Sequence, residues 1–102
     1  MKQVTQAEFN DAISSGISVV DFFATRCGPC KMIAPYLDEM EEKLEWKVQF
    51  YKVDVDQENQ LAWAQWVTAM PTMKVFKDGQ AVETIVGADL KWLRTAIQNH
   101  IA

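Results

Sequence analysis

The alternation of strand-like and helix-like segments predicts an α/β protein with a mixed central β-sheet and helices on both faces. The run 17–24 is apolar on both sides, which is typical of a central strand, and helical segments separate it from later strands. Such alternation favours parallel pairing through right-handed crossovers. The turn sequence 77–80 joins the last two strands as a hairpin. We therefore predict the order βαβαβαββα, mostly parallel with an antiparallel C-terminal hairpin; no segment is assigned to the first strand.

The individual elements follow from capping residues and from hydrophobic periodicity. Thr5 and Glu8 have the spacing of a capping box, which predicts a helix to about Ser14, and Gly16 ends it. From Cys30 onward, apolar residues recur every three or four positions, which predicts a second, amphipathic helix. The remaining segments are predicted as strands at 47–55, 72–76 and 81–86 and as helices at 58–67 and 89–100.

The composition is that of one ordinary globular domain. Of 102 residues, 49% are hydrophobic and 24% are charged, so we predict a single domain over 1–102. The net charge of −4 argues against nucleic acid and against anionic membrane surfaces as partners. No segment approaches the ~20 apolar residues of a membrane span, and residues 1–6 hold no apolar signal core. We expect a cytoplasmic monomer, whose two cysteines serve chemistry rather than a permanent cross-link.

The motif Cys27-Gly28-Pro29-Cys30 lies between the buried strand and the start of a helix. Two intervening residues allow both sulfurs to meet within one turn, and a helix N-terminus favours the thiolate of the first cysteine. A thiolate attacks disulfides, and a neighbouring thiol resolves the mixed disulfide that results. The motif therefore predicts a redox-active dithiol.

Two other interpretations of the cysteines are a pair of core residues and half of a zinc site. Zinc takes four ligands, and the only further soft or imidazole candidate is His100, which is distant in sequence. We therefore predict no metal. We also expect no cofactor, because the chain has no glycine-rich dinucleotide motif, so a separate reductase must supply the electrons.

Asp21 is a carboxylate in the middle of the apolar strand, among Val20 and Phe22. Burial raises the pKa of such a group, which allows it to move protons near neutral pH. Lys52 shares a strand face with Phe50, and if the two strands are neighbours its charge offsets that of Asp21. We favour proton transfer for Asp21 over a purely structural ion pair, whereas for Lys52 both interpretations stay open.

Several motifs, in order and spacing along essentially the whole chain, resemble the thioredoxin family. They are 19–24 (Val-Val-Asp-Phe-Phe-Ala), the Cys-Gly-Pro-Cys motif, 31–35, 52–56, 70–72, 76–79 and 86–88. The resemblance implies the thioredoxin fold and a protein-disulfide reductase in which Cys27 is the nucleophile and Cys30 the resolving thiol of a redox disulfide. It also implies disulfide-containing client proteins, a thioredoxin reductase as electron donor, and Asp21 as proton acceptor for Cys30.

The resemblance further implies a docking surface around Cys27. In the family the proline matching Pro71 is cis and faces the dithiol, and an extended substrate segment pairs with the backbone beside it. The residues implied in this surface are Gly28, Pro29, Met70, Pro71, Gly87 and Ala88.

The sequence departs from the family where Phe23 and Arg26 replace the usual tryptophans. Arg26 adds a cation to the docking surface, which favours the thiolate of Cys27 and client surfaces that are acidic. An exposed, solvated arginine with little effect is the alternative. Trp66 falls where the family has a packed aromatic, and Trp63 is expected to be half exposed.

Two other functions remain compatible with the motifs. One is a thiol oxidant or isomerase on the same fold, which the Gly-Pro dipeptide opposes. The other is a binding module whose partner complex is gated by the redox state of the cysteines.

Overall fold

The computed structural model describes residues 1–44 and 46–101. Its elements follow the predicted order βαβαβαββα. They are β1 (Lys2–Gln3), α1 (Gln6–Ala12), β2 (Ile17–Phe23), α2 (Gly28–Leu44), β3 (Val48–Asp54), α3 (Asn59–Ala64), β4 (Thr72–Lys77), β5 (Gln80–Val86) and α4 (Leu90–Ile101).

The five strands form one sheet in the order β1-β3-β2-β4-β5. β3 pairs in parallel with both β1 and β2, whereas β4 pairs antiparallel with β2 and β5. Four strands therefore point one way and β4 runs against them. β2 occupies the centre, as its two apolar faces predict, and the mixed α/β class is confirmed.

Each face of the sheet packs against its own hydrophobic core, because successive strand residues point to opposite sides. Val19 of β2 lies in the core shared with α2 and α4, and its neighbour Val20 lies in the core shared with α1 and α3. Asp21, two residues after Val19, consequently belongs to the face covered by α2. This alternation brings Asp21 to the helix that begins at the cysteines.

The predicted start of α1 and the predicted hairpin turn are both confirmed. The Thr5 N–H donates to the Glu8 carboxylate at 2.9 Å, as a capping box requires, although the helix ends at Ala12 rather than Ser14. Asp78 and Gly79 form the two-residue turn with φ of 51° and 88°, the left-handed conformation that such hairpins need.

The end of α3 departs from the prediction. The helix stops at Ala64, because the Val67 N–H donates to the Ala62 carbonyl and the Trp66 N–H to the Trp63 carbonyl, at 2.9 and 3.0 Å. This is a Schellman motif, and Trp66, with φ of 61°, occupies the left-handed position that glycine usually fills. The left-handed conformation costs a residue with a side chain roughly 1–2 kcal/mol.

The expected packing of both tryptophans of this segment is wrong. The Trp66 side chain is 88% exposed rather than packed, at the left-handed position that ends α3. Trp63 is 82% exposed rather than half exposed.

Candidate active site

Cys27 and Cys30 are bonded as a disulfide at the N-terminal end of α2, with their Cα atoms 5.3 Å apart. The Cys30 backbone N–H donates to the Cys27 Sγ at 3.1 Å, so an amide at the helix N-terminus points at the first sulfur. Cys27 is partly exposed, whereas only 4% of Cys30 is exposed. Cys27 is therefore the more accessible of the two cysteines.

A cavity of about 260 Å³ lies beside the disulfide and is lined by Asp21, Lys52 and Cys30 among others. Asp21 is 3% exposed, and its Oδ1 has no hydrogen-bond partner among the described residues. This burial raises the pKa of Asp21 to about 7, and the positive charge of Lys52 opposes the rise. A carboxyl group with this pKa can both take up and release a proton at neutral pH.

Lys52 lies directly opposite Asp21 in the parallel pairing of β2 with β3, so the two strands are neighbours as the prediction required. The half-buried Lys52 places its Nζ 5.5 Å from the centroid of the Phe23 ring. No ion pair within 4.0 Å joins Lys52 to Asp21 in the described residues. The lysine therefore acts on the carboxyl group through space.

The loop before β4 approaches the disulfide, and the loop after β5 is hydrogen-bonded to that loop. The Met70 carbonyl oxygen lies 3.6 Å from the Cys27 Sγ, and the Met70–Pro71 peptide bond is cis. The Gly87 N–H donates to the Pro71 carbonyl at 2.8 Å, which ties the loop after β5 to the loop before β4. Gly87 has φ of 96°, a conformation that favours glycine.

The predicted docking residues differ in exposure. Met70 and Gly87 are partly exposed and Pro71 is buried, so Pro71 presents little side-chain surface. The remaining predicted residues are all exposed: Arg26, Gly28, Pro29 and Ala88.

Arg26 forms an ion pair with Asp56, whose carboxylate oxygen lies 3.1 Å from its NH1 nitrogen. The two side chains are 77% and 45% exposed, so the pair is solvated, and Arg26 directly precedes Cys27 in sequence. Asp54 helps to position Asp56 by accepting its backbone N–H at 2.9 Å. Sequence analysis missed Asp56; the available signal was that Arg26 and Asp56 follow parallel strands, whose carboxyl ends meet at one edge.

Lys74 is a second buried charge that sequence analysis missed. It is 7% exposed on β4, and its Nζ donates to the carbonyl and to the side-chain Oε1 of Gln65 at 3.2 and 3.3 Å. Burial lowers the pKa of Lys74. The signal was the one used for Asp21, a charge between the apolar strand residues Met73 and Val75.

No group of three or more metal-ligating side chains occurs in residues 1–44 and 46–101. The one histidine, His100, lies with its Nε2 3.5 Å from the Glu83 carboxylate. None of the helices in the described part of the chain is long and apolar enough to cross a membrane.

Comparison with known proteins identifies the family. The thioredoxin family model matches residues 1–100. The chain belongs to the thioredoxin family. A thioredoxin of Staphylococcus aureus is 48% identical over 85 residues, which cover 83% of this chain and 82% of that protein.

Solved thioredoxin structures also resemble the chain closely. The thioredoxin of Malassezia sympodialis superposes with a TM-score of 0.92 at 41% identity, over 99% of this chain and 93% of that one. The thioredoxin of Plasmodium falciparum gives 0.91 at 43% identity, over 98% and 99%. The chain is therefore a thiol–disulfide oxidoreductase with the redox-active pair Cys27 and Cys30. Proteins of this family act on disulfide substrates and are reduced by thioredoxin reductase.

Proposed function

We propose that Cys27 is the nucleophile and Cys30 the resolving thiol in the reduction of client-protein disulfides. The difference in exposure of the two cysteines supports this assignment, because Cys27 is partly exposed to a client whereas Cys30 is buried. The amide of Cys30, which donates to the Cys27 Sγ, would stabilise negative charge on a Cys27 thiolate.

The reaction transfers two electrons in two exchanges. The Cys27 thiolate forms a bond to one client sulfur while the client disulfide breaks, and the other client sulfur leaves as a thiolate. Cys30 then loses its proton and attacks the Cys27 Sγ, which forms the Cys27–Cys30 disulfide and releases the client as a dithiol. A thioredoxin reductase returns two electrons to the disulfide.

Asp21 is the proposed acceptor of the Cys30 proton. Its support is that Asp21 and Cys30 line the same cavity and that the pKa of Asp21 is about 7. Lys52 is proposed as a positioning residue, since its charge lowers the pKa of Asp21 without contacting the carboxylate.

The proposed client surface consists of the predicted docking residues around Cys27. Its support is the approach of the Met70 carbonyl to the Cys27 Sγ and the hydrogen bond that joins Gly87 to Pro71. We further propose one domain and a cytoplasmic monomer; the family match over 1–100 supports the first, and the need for a reducing compartment supports the location.

Serine variants of the two cysteines test the assignment. Cys27→Ser should abolish reduction of a protein disulfide, whereas Cys30→Ser should accumulate a mixed disulfide through Cys27, detectable by mass spectrometry. A redox-gated binding module would instead keep its partner without forming that bond. Alkylation of the reduced protein at mildly acidic pH should label Cys27 first, and labelling of Cys30 first would reverse the roles.

A further inference from the structure

Trp63 and Trp66 form an apolar groove on the surface at the end of α3. The two side chains are 82% and 88% exposed, and with Ala64, Val67 and Thr68 they line a groove of about 370 Å³. Two indoles so close together and so exposed are unusual, because Trp is mostly buried in folded proteins. The groove lies on a segment that the mechanism does not use.

The backbone of this segment works against stability. Trp66 occupies the left-handed position of the Schellman motif, where glycine fits without strain, and its exposed indole has little packing to offset that strain. The segment is nevertheless held firmly, because Lys74 donates to both the carbonyl and the side chain of Gln65. An exposed aromatic kept at a strained position, directly after an anchored residue, indicates a role in binding.

The groove lies within a few residues of the loop that contacts the disulfide. Val67, at its edge, packs with Met70 and Cys27 against one core. Three residue steps separate Val67 from Met70, a distance of at most about 11 Å, and the Met70 carbonyl lies 3.6 Å from the Cys27 Sγ. An extended client advances about 3.3 Å per residue, so a side chain three to five residues from its cysteine reaches the groove.

We propose that Trp63 and Trp66 select client polypeptides carrying an aliphatic or aromatic side chain three to five residues from the cysteine that Cys27 attacks. The inference deepens the proposed function and rests on it. Rigid Trp side chains that bury apolar groups are enriched among the residues that dominate binding energy. Two indoles offer at most about 500 Å², below the ~800 Å² per partner of a stable interface, which suits a short client segment rather than a second copy of the chain.

Matched substrates test this selectivity. Two synthetic peptides, each dimerised through one cysteine, differ only in having Leu or Ser four residues to either side of it. Hydroxyethyl disulfide, which has no flanking residues, reports the exchange chemistry alone and normalises the peptide rates. We expect the unaltered chain to reduce the Leu peptide with a kcat/KM about tenfold above that of the Ser peptide, mainly through KM.

The Leu-to-Ser rate ratio is then compared among variants of three exposed tryptophans. Trp66→Gly, which also relieves the backbone strain, and Trp63→Ala should each lower the Leu-to-Ser ratio toward one. Trp46→Ala is the matched control: Trp46 is 75% exposed but follows the far end of α2, roughly 25 Å along the helix from Cys27, and should keep the ratio.

The possible results distinguish a failure of the proposed client selectivity from a failure of the proposed reductase function. Equal rates for the two peptides in the unaltered chain would overturn the proposed client selectivity of the groove. A loss of preference in Trp46→Ala as large as in the groove variants would do the same. Neither result would affect the proposed disulfide reductase activity. If the unaltered chain self-associates and Trp66→Gly removes that association without changing the peptide ratio, the groove binds a second copy of the chain. That result would also overturn the proposed client selectivity. Failure to reduce even hydroxyethyl disulfide would overturn the proposed function itself.

Discussion

Asp21 and Lys74 are two buried charges on adjacent central strands, and they lie on opposite faces of the sheet. Asp21 faces the core of α2 and borders the cavity beside Cys30, whereas Lys74 shares the face of α1 and α3 with Phe76. Lys74 donates two hydrogen bonds to Gln65, while the Oδ1 of Asp21 has no partner among the described residues. Burial therefore disfavours the charged form of both residues, but only at Lys74 do hydrogen bonds compensate for the lost solvation.

The difference shows that burial has different consequences for a charged group with hydrogen-bond partners and for one without them. A buried charge with hydrogen-bond partners anchors the element that supplies them, here the end of α3. A buried carboxyl group is harder to ionise when an oxygen lacks a hydrogen-bond partner, and burial accordingly raises the pKa of Asp21 to about 7.

Asp21→Asn should have the largest effect, which is a loss of disulfide-reductase activity. A positioned acid or base contributes about 10²–10⁴-fold to a rate, so we expect client reduction at pH 7 to fall on the order of 100-fold. The measurement is the steady-state rate with a protein disulfide and excess reductant. Full activity in a variant of lowered stability would make Asp21 a structural residue like Lys74.

The same variant should change how stability depends on pH. The ordinary pKa of an aspartate is 3.8, whereas that of Asp21 in the folded chain is about 7, so between these values the folded state retains a proton that the unfolded state loses. Stability therefore falls as pH rises from about 4 to 7, by up to about 4 kcal/mol from this group. Denaturant unfolding of the oxidised protein should show this fall, and Asp21→Asn should lack it.

Lys74→Met should lower stability and leave the chemistry alone. Removing the donor leaves the Gln65 carbonyl without its partner, which costs about 1–2 kcal/mol of unfolding free energy. Reduction of hydroxyethyl disulfide should stay within about twofold of the unaltered rate. Lys77→Met, which removes an exposed charge from the same strand, is the control and should change stability by about 0.5 kcal/mol or less. A large loss of rate in Lys74→Met would contradict the purely structural role of Lys74.

Lys52→Met should raise the pKa of Asp21. The Lys52 charge lowers the pKa of Asp21, so its removal should move that pKa, and the inflection of the pH–rate profile, to higher pH. Because the two groups form no contact ion pair, we expect the rate at pH 7 to change less than about fivefold. An unchanged inflection would confine Lys52 to a structural role.

Arg26→Trp should have the smallest effect. Asp56 offsets the Arg26 charge at 3.1 Å, so rates with acidic clients should change less than about threefold, and the change should fade with salt. Asp56→Asn frees that charge and should raise the association rate with acidic clients at low salt. Identical rates in both variants would make Arg26 a solvated bystander.

Sequence reasoning reached the elements and the centre of the site because both depend on local signals. A capping box located α1, a run that is apolar on both faces located β2, and the motif beginning at Cys27 located the dithiol. It missed the partners that meet only across the fold, as Arg26 meets Asp56, since thirty residues separate them. It also missed the early end of α3, because Trp66 stands where glycine would have signalled the turn.

The sequence alone determined that a dithiol stands at a helix N-terminus and that a carboxylate lies mid-strand, because spacing and apolar neighbours set both. Only the tertiary structure decided the strand order, which places Lys52 opposite Asp21 and brings Met70 to Cys27. It also decided which buried charge is paired, since Gln65 reaches Lys74 while no described residue reaches the Oδ1 of Asp21. These features depend on contacts between distant segments, whose geometry arises only when the two faces of the sheet are packed.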